Sequence, residues 1–282
     1  MKRPLAYLTV LIVALAGLLP VTARPAFADE LAQALLLPEL FEIMATEGRM
    51  SVMADGAIPL QGPSLERFEA EVAEIYAPGR MLAAFMHVLD ADLQDRPEVR
   101  EDTLAFAATE LGKDILRLEI SARKALLDDE VDLFARHALE EARMDTARQA
   151  VRERLADIRQ RIEANDLIEL NVSLGLNTSF AYYRGMMMEN AVSGMSADML
   201  LQLVWSQEPD IRADIEDWVE SYFLMAYQPL DEDSMQAFLN YVDTPLARAF
   251  NQAMFRAFDE VFSEISLNLG RALGRHLAAE DL

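Results

Sequence analysis

Thr244-Pro-Leu-Ala-Arg-Ala-Phe250-Asn-Gln-Ala-Met254-Phe-Arg-Ala-Phe258-Asp-Glu-Val261-Phe262-Ser-Glu-Ile265 is the stretch that decides the fold. Thr is a favoured helix N-cap, and Pro suits the first helical position because its missing N–H would be unpaired there anyway. Phe250, Met254, Phe258, Val261, Phe262 and Ile265 then recur in steps that keep one broad apolar stripe on a helix. The pattern predicts a helix from Pro245 to about Leu277.

The same grammar extends towards the N-terminus. Asp231 starts a short helix to Val242, Pro209 opens a helix to residue 227, and Ser196 caps a helix over 197–207. Residues 166–190 read as helix, with Gly175 and Gly185 as weak points. Residues 129–163 read as one long connecting helix: Met144, Ala147, Val151, Leu155, Ile158 and Ile162 step by three and four. Its charges, Asp157 with Arg161 and Arg159 with Glu163, fit ion pairs on a solvated face. Residues 97–127 fit a helix pair or one kinked helix, with Thr109 able to cap the second part. Arg80–Leu93, Ser64–Tyr76 (with Ser64 as cap) and 30–47 complete the helical segments, and the Gly- and Pro-bearing residues 48–64 read as a loop. No period-2 run of useful length is present, so the expected fold is all-α, with eight to ten helices.

Phe106-Ala-Ala-Thr109-Glu-Leu111-Gly-Lys113 aligns without gaps to Tyr241-Val-Asp-Thr244-Pro-Leu246-Ala-Arg248, 135 residues on. Aromatic, Thr, Leu, small (Gly112 and Ala247) and basic (Lys113 and Arg248) positions correspond, while Pro245 stands opposite Glu110. A fainter match sets Leu40–Gly48 against Leu201–Pro209, pairing Glu47 with Glu208. These matches predict two related helical halves, 29–128 and 164–282, joined by the 129–163 helix.

Tyr227 to Leu273, with Leu230-Asp-Glu-Asp-Ser-Met-Gln-Ala-Phe-Leu-Asn-Tyr241 and Thr244-Pro-Leu-Ala-Arg248, resembles the family catalogued as domain of unknown function 2059. Ala247 departs from that family's usual Gly, which the first copy carries as Gly112. The resemblance implies a helical, exported protein and supplies no catalytic residue.

Export is also read from residues 1–28. Lys2 and Arg3 precede an apolar run from Leu5 to Leu19, Pro20 ends it, and Ala26-Phe27-Ala28 is an A-x-A cleavage site. The expectation is a cleaved signal peptide and a mature protein soluble in the periplasm, with no transmembrane segment after cleavage. The 282 residues hold 25 basic and 48 acidic groups, for a formal charge of −23. Removing Lys2, Arg3 and Arg24 with the signal takes this to −26. Such acidity argues against nucleic acid as a partner. The absence of cysteine excludes disulfides, thiolate metal sites and cysteine nucleophiles.

No catalytic or cofactor motif stands out. His87, His137 and His276 form no paired metal motif. Ala191-Val192-Ser193-Gly194-Met195 lacks both glycines of a nucleophile elbow. Glu47 and Glu208 are candidates for a shared cleft, or for ion pairs with Arg. Met186-Met187-Met188 offers soft ligands for Cu(I), but successive residues point around a helix rather than at one ion. Tyr182, Tyr183 and Arg184 beside the Met cluster at Met187, with Trp205 and Trp218, can line a groove for a peptide or helix. The leading expectation is therefore a non-enzymatic exported protein that binds an envelope protein or peptide. The alternative is a small-molecule binder or carboxylate-dependent envelope hydrolase, which requires a deep pocket between the halves.

Overall fold

A computed structural model describes residues 30–54, 58–192 and 194–280. The expected signal peptide, Gly56 and Ser193 lie outside these residues. The described residues are all-α: α1 Leu37–Val52, α2 Gly62–Ile75, α3 Pro78–Leu93, α4 Pro97–Ala108, α5 Glu110–Ala125, α6 Asp129–Met144, α7 Gln149–Ala164, α8 Leu167–Met188, α9 Ala197–Trp205, α10 Glu208–Ala226, α11 Glu232–Val242 and α12 Pro245–Glu280.

The 36-residue α12 runs through the molecule, about 54 Å at 1.5 Å per residue. It packs against α8 most extensively and also against α2, α3 and α4. Its expected stripe is the core: Phe250, Met254, Phe258, Val261, Phe262 and Ile265 are all buried. Phe258 meets Phe85 of α3 at 4.3 Å and Phe41 of α1 at 5.7 Å between ring centroids. One continuous core runs from Leu31 to Leu273, so both proposed halves share it. A small separate cluster, Leu139, Ala142 and Leu155, seats α6 and α7 beside Leu224 of α10.

Four local expectations fail for physical reasons. Residues 129–163 are two helices, because the Asp145 carboxylate takes the N–H groups of Ala147 and Arg148, each at 2.9 Å, and turns the chain. The seam on α7 begins at half-buried Val151, while Met144 and Ala147 are exposed. The loop expected from Gly48 starts only after Val52, since α1 continues through Gly48. The Tyr76 ring lies against Gly48 so closely that a Cβ there would collide with it. Finally, Gln61 occupies the N-cap of α2, and Ser64 is turned towards His276 instead.

The duplicated motif has one hydrogen-bond pattern in both copies. Thr109 N–H donates to Phe106 O and Thr244 N–H to Tyr241 O, both at 2.9 Å. Gly112 N–H donates to Thr109 Oγ1 at 2.9 Å, and Ala247 N–H to Thr244 Oγ1 at 3.2 Å. The fainter match has no such counterpart. Glu47 lies inside continuous α1, whereas Glu208 begins α10 after a break; Met44 is buried, whereas Trp205 is exposed.

Candidate functional site

Helical spacing brings one set of polar side chains inside. Glu119 and Arg123 share a face of α5, one turn apart, and Trp218 and Tyr222 do the same on α10. Arg123 is only 2% exposed and grips Glu47 of α1 through two bonds, Nε to Oε1 at 2.9 Å and Nη2 to Oε2 at 2.6 Å. Its guanidinium lies 5.6 Å from the Trp218 ring centroid, and Trp218 stacks on Tyr222. Tyr222 OH donates to Glu119 O at 3.0 Å, and Tyr227 OH donates to Glu119 Oε1. Burial pushes the Glu119 carboxyl up to about 8, outweighing the Tyr227 hydrogen bond and the charge of Arg161, which both favour the anion.

Arg161 of α7 completes the cluster. It is 1% exposed, with its guanidinium 5.6 Å from the Phe223 ring and 5.7 Å from the Phe238 ring. It therefore overturns the expected solvated face, as does Asp157, which is also buried. Arg159 bonds Glu220 of α10, Nε to Oε1 at 2.8 Å, rather than extending the expected local pair to Glu163. The cavity beside Glu119 and Tyr222 holds about 30 Å³, enough for one water and far below a ligand pocket of ~300–1,000 Å³.

Glu208 stands apart from this cluster. It accepts from Arg212 Nε at 2.7 Å, and Arg212 also grips Glu169 of α8 at 2.6 and 2.9 Å. Glu47 and Glu208 thus form separate ion pairs with different arginines. A second hollow, about 220 Å³, is lined by Arg143, Arg159, Ile162, Glu163, Ile168, Glu216 and Glu220. Glu220 is already bonded to both arginines there.

Of the remaining candidates, Tyr182, Tyr183, Arg184 and Met187 lie on α8 and Trp205 on α9, while Trp218 stacks on Tyr222 of α10. Tyr182 is half-buried, and its carbonyl oxygen lies where a Cβ on Gly270 would stand, so α8 and α12 cross at backbone contact. Tyr183 meets Tyr182 edge-on at 5.5 Å. Arg184 is exposed and Met187 half-buried. Short α9 packs on α8 and buries Leu200 and Val204. It leaves Trp205 at 64%, Met199 at 54% and Leu201 at 45% exposure, close in sequence to exposed Met188 at the end of α8.

Two arrangements lie outside the sequence-based expectations. His276 lies between Ser64 Oγ and Glu71 Oε2, 3.4 Å from each. Both distances are at the long end of the hydrogen-bond range, and Ser64 is buried; the trio joins α2 to α12. The other is the outward face of α6, where Leu133, Phe134 and Met144 are exposed. Periodicity alone could have flagged it, because Leu133, His137, Glu140 and Met144 step by four, three and four.

Among the described residues, no group of three or more His, Asp or Glu is placed to hold a metal ion, and no helix is long and apolar enough to cross a membrane. The chain matches no known family, curated protein or solved structure.

Proposed function

We propose that this chain is an exported helical protein of the kind its second motif resembles, and that it binds a cationic amphipathic polypeptide at the α8–α9 corner. The observation that carries this reading is the exposure of Met199, Leu201 and Trp205 on a helix that buries only Leu200 and Val204. Aromatic and Met side chains dominate adaptable binding surfaces. Asp198, Leu201 and Trp205 fall on one side of α9, three and four residues apart, so an acidic group borders the apolar pair. The overall charge of −23 favours a basic partner. The small-molecule and hydrolase alternative needs a deep pocket of ~300–1,000 Å³; the cavity beside Glu119 is water-sized, and the larger hollow at Glu220 reaches only about 220 Å³.

The chain carries two tryptophans, Trp205 and Trp218. Trp218→Phe leaves Trp205 as the sole reporter. Titration with a synthetic Leu/Lys amphipathic helix is expected to shift Trp205 emission to the blue, saturably. Leu201→Asp on the same background is expected to weaken binding at least tenfold. No shift, or an affinity indifferent to Leu201→Asp, overturns the proposal.

A further inference from the structure

A second unpartnered surface lies on α6, which seats Ala135, Leu139 and Ala142 against the body and turns its opposite face to solvent. Leu133 is 58% and Met144 74% exposed; the side chains of His137 and Glu140, 3.5 Å apart along the same helix, are 65% and 63% exposed and free to exchange that contact for one across an interface. These four residues follow the four-three-four spacing of a two-helix seam, the pattern that lets one helix interlock with another. Phe134, also exposed, flanks the seam at its N-terminal end.

We infer that this face pairs with the same face of a second copy of the chain, antiparallel about a two-fold axis. The order of the four residues selects that occupant. Read in one direction the seam is apolar, basic, acidic, apolar; read in the other it is apolar, acidic, basic, apolar. Antiparallel pairing in register therefore sets Leu133 on Met144 of the other copy and His137 on Glu140, and the two-fold repeats both pairs. This is the self-complementarity a two-fold interface requires. Parallel pairing would set Glu140 on Glu140 and His137 on His137. A single helix face is small, so the dimer is weak and forms at high concentration. It is independent of the α8–α9 corner.

Sedimentation of the mature protein across a concentration series tests the inference. Wild type is expected to show a reversible monomer–dimer equilibrium. Leu133→Asp and Met144→Asp are each expected to raise the dissociation constant at least tenfold, with unchanged helicity and melting because both side chains are exposed. His137→Glu places four acids at the centre of the seam and is expected to abolish dimers. The double variant His137→Glu with Glu140→Lys restores opposite charges across the two-fold and is expected to recover them. A wild type that stays monomeric at every concentration overturns the inference. So does a dimer indifferent to Leu133→Asp, or a double variant no better than the single one.

Discussion

Phe106 and Tyr241 stack face to face, with ring centroids 3.9 Å apart and planes within 6° of parallel. They occupy the same position in the two copies of the duplicated motif, each ending one helix just before the Thr that caps the next. The two helix–cap–helix corners therefore meet through equivalent residues, as they would if the halves arose by duplication and kept a local two-fold relation. Gly112 and Ala247 are where the two matching motifs differ most in packing. A Cβ at Gly112 would collide with Phe106 O, whereas the second copy accommodates the buried Ala247 methyl.

This stack should be measurable as a coupling. Phe106→Leu and Tyr241→Leu remove one ring each, and a double-mutant cycle in urea isolates the ring–ring term. The expected coupling is about 0.5–1.5 kcal/mol beyond the sum of lost apolar burial. Additive single effects would show that the rings are neighbours without mutual stabilisation.

The two candidate carboxylates should separate sharply. Glu47→Gln removes the charge from the carboxylate that the 2%-exposed Arg123 grips, and disrupting such a buried pair costs up to roughly 3–5 kcal/mol. Glu208→Gln weakens a more exposed i,i+4 pair whose Arg212 keeps Glu169, so a loss of about 0.5 kcal/mol or less is expected. Chemical denaturation of both variants decides the matter. Equal losses would mean that Arg123 is better solvated than its surroundings indicate.

What the sequence made legible was short-range chemistry. Thr109, Ser196, Asp231 and Thr244 act as N-caps at the expected helix starts. Each needs only a side-chain oxygen and a backbone N–H two or three residues away. The Phe250–Ile265 stripe was legible for the same reason. The break at Asp145 was masked by an apolar period that continues in sequence across a turn the chain takes in space. The Glu119–Arg161 cluster was illegible because charged residues at helical spacing look alike whether water or Phe223 and Phe238 cover them. His276 meets Ser64 across 212 residues of chain, a distance no local pattern reports.

The crossing of α8 and α12 depends on two glycines. A Cβ at Gly270 would collide with Tyr182 O, and one at Gly185 with Leu267 O. Both obstacles are backbone, so no rotamer change relieves them. Gly270→Ala and Gly185→Ala should each force the helices apart and cost about 1–3 kcal/mol or more. Gly79→Ala is the control, with nothing within 4 Å of the added methyl. Thermal melts should show a clear drop for the first two and little change for the third.

Glu119 should leave a signature in the pH dependence of stability. Its carboxyl titrates at about 8 in the folded protein, against an ordinary value of 4.5, because burial disfavours the anion. Between those values the folded state holds a proton that the unfolded state has released. Stability from this group therefore falls as pH rises through that window, by up to about 1.4 kcal/mol per pH unit, and levels off above it. Glu119→Gln mimics the protonated group and keeps an oxygen to accept from Tyr227. The stability difference between Glu119→Gln and wild type should shift in favour of the variant from pH 5 to pH 8, and level off only above about pH 9. A difference that does not change with pH would show that Glu119 is already ionised in the fold, held by Arg161 rather than by its proton.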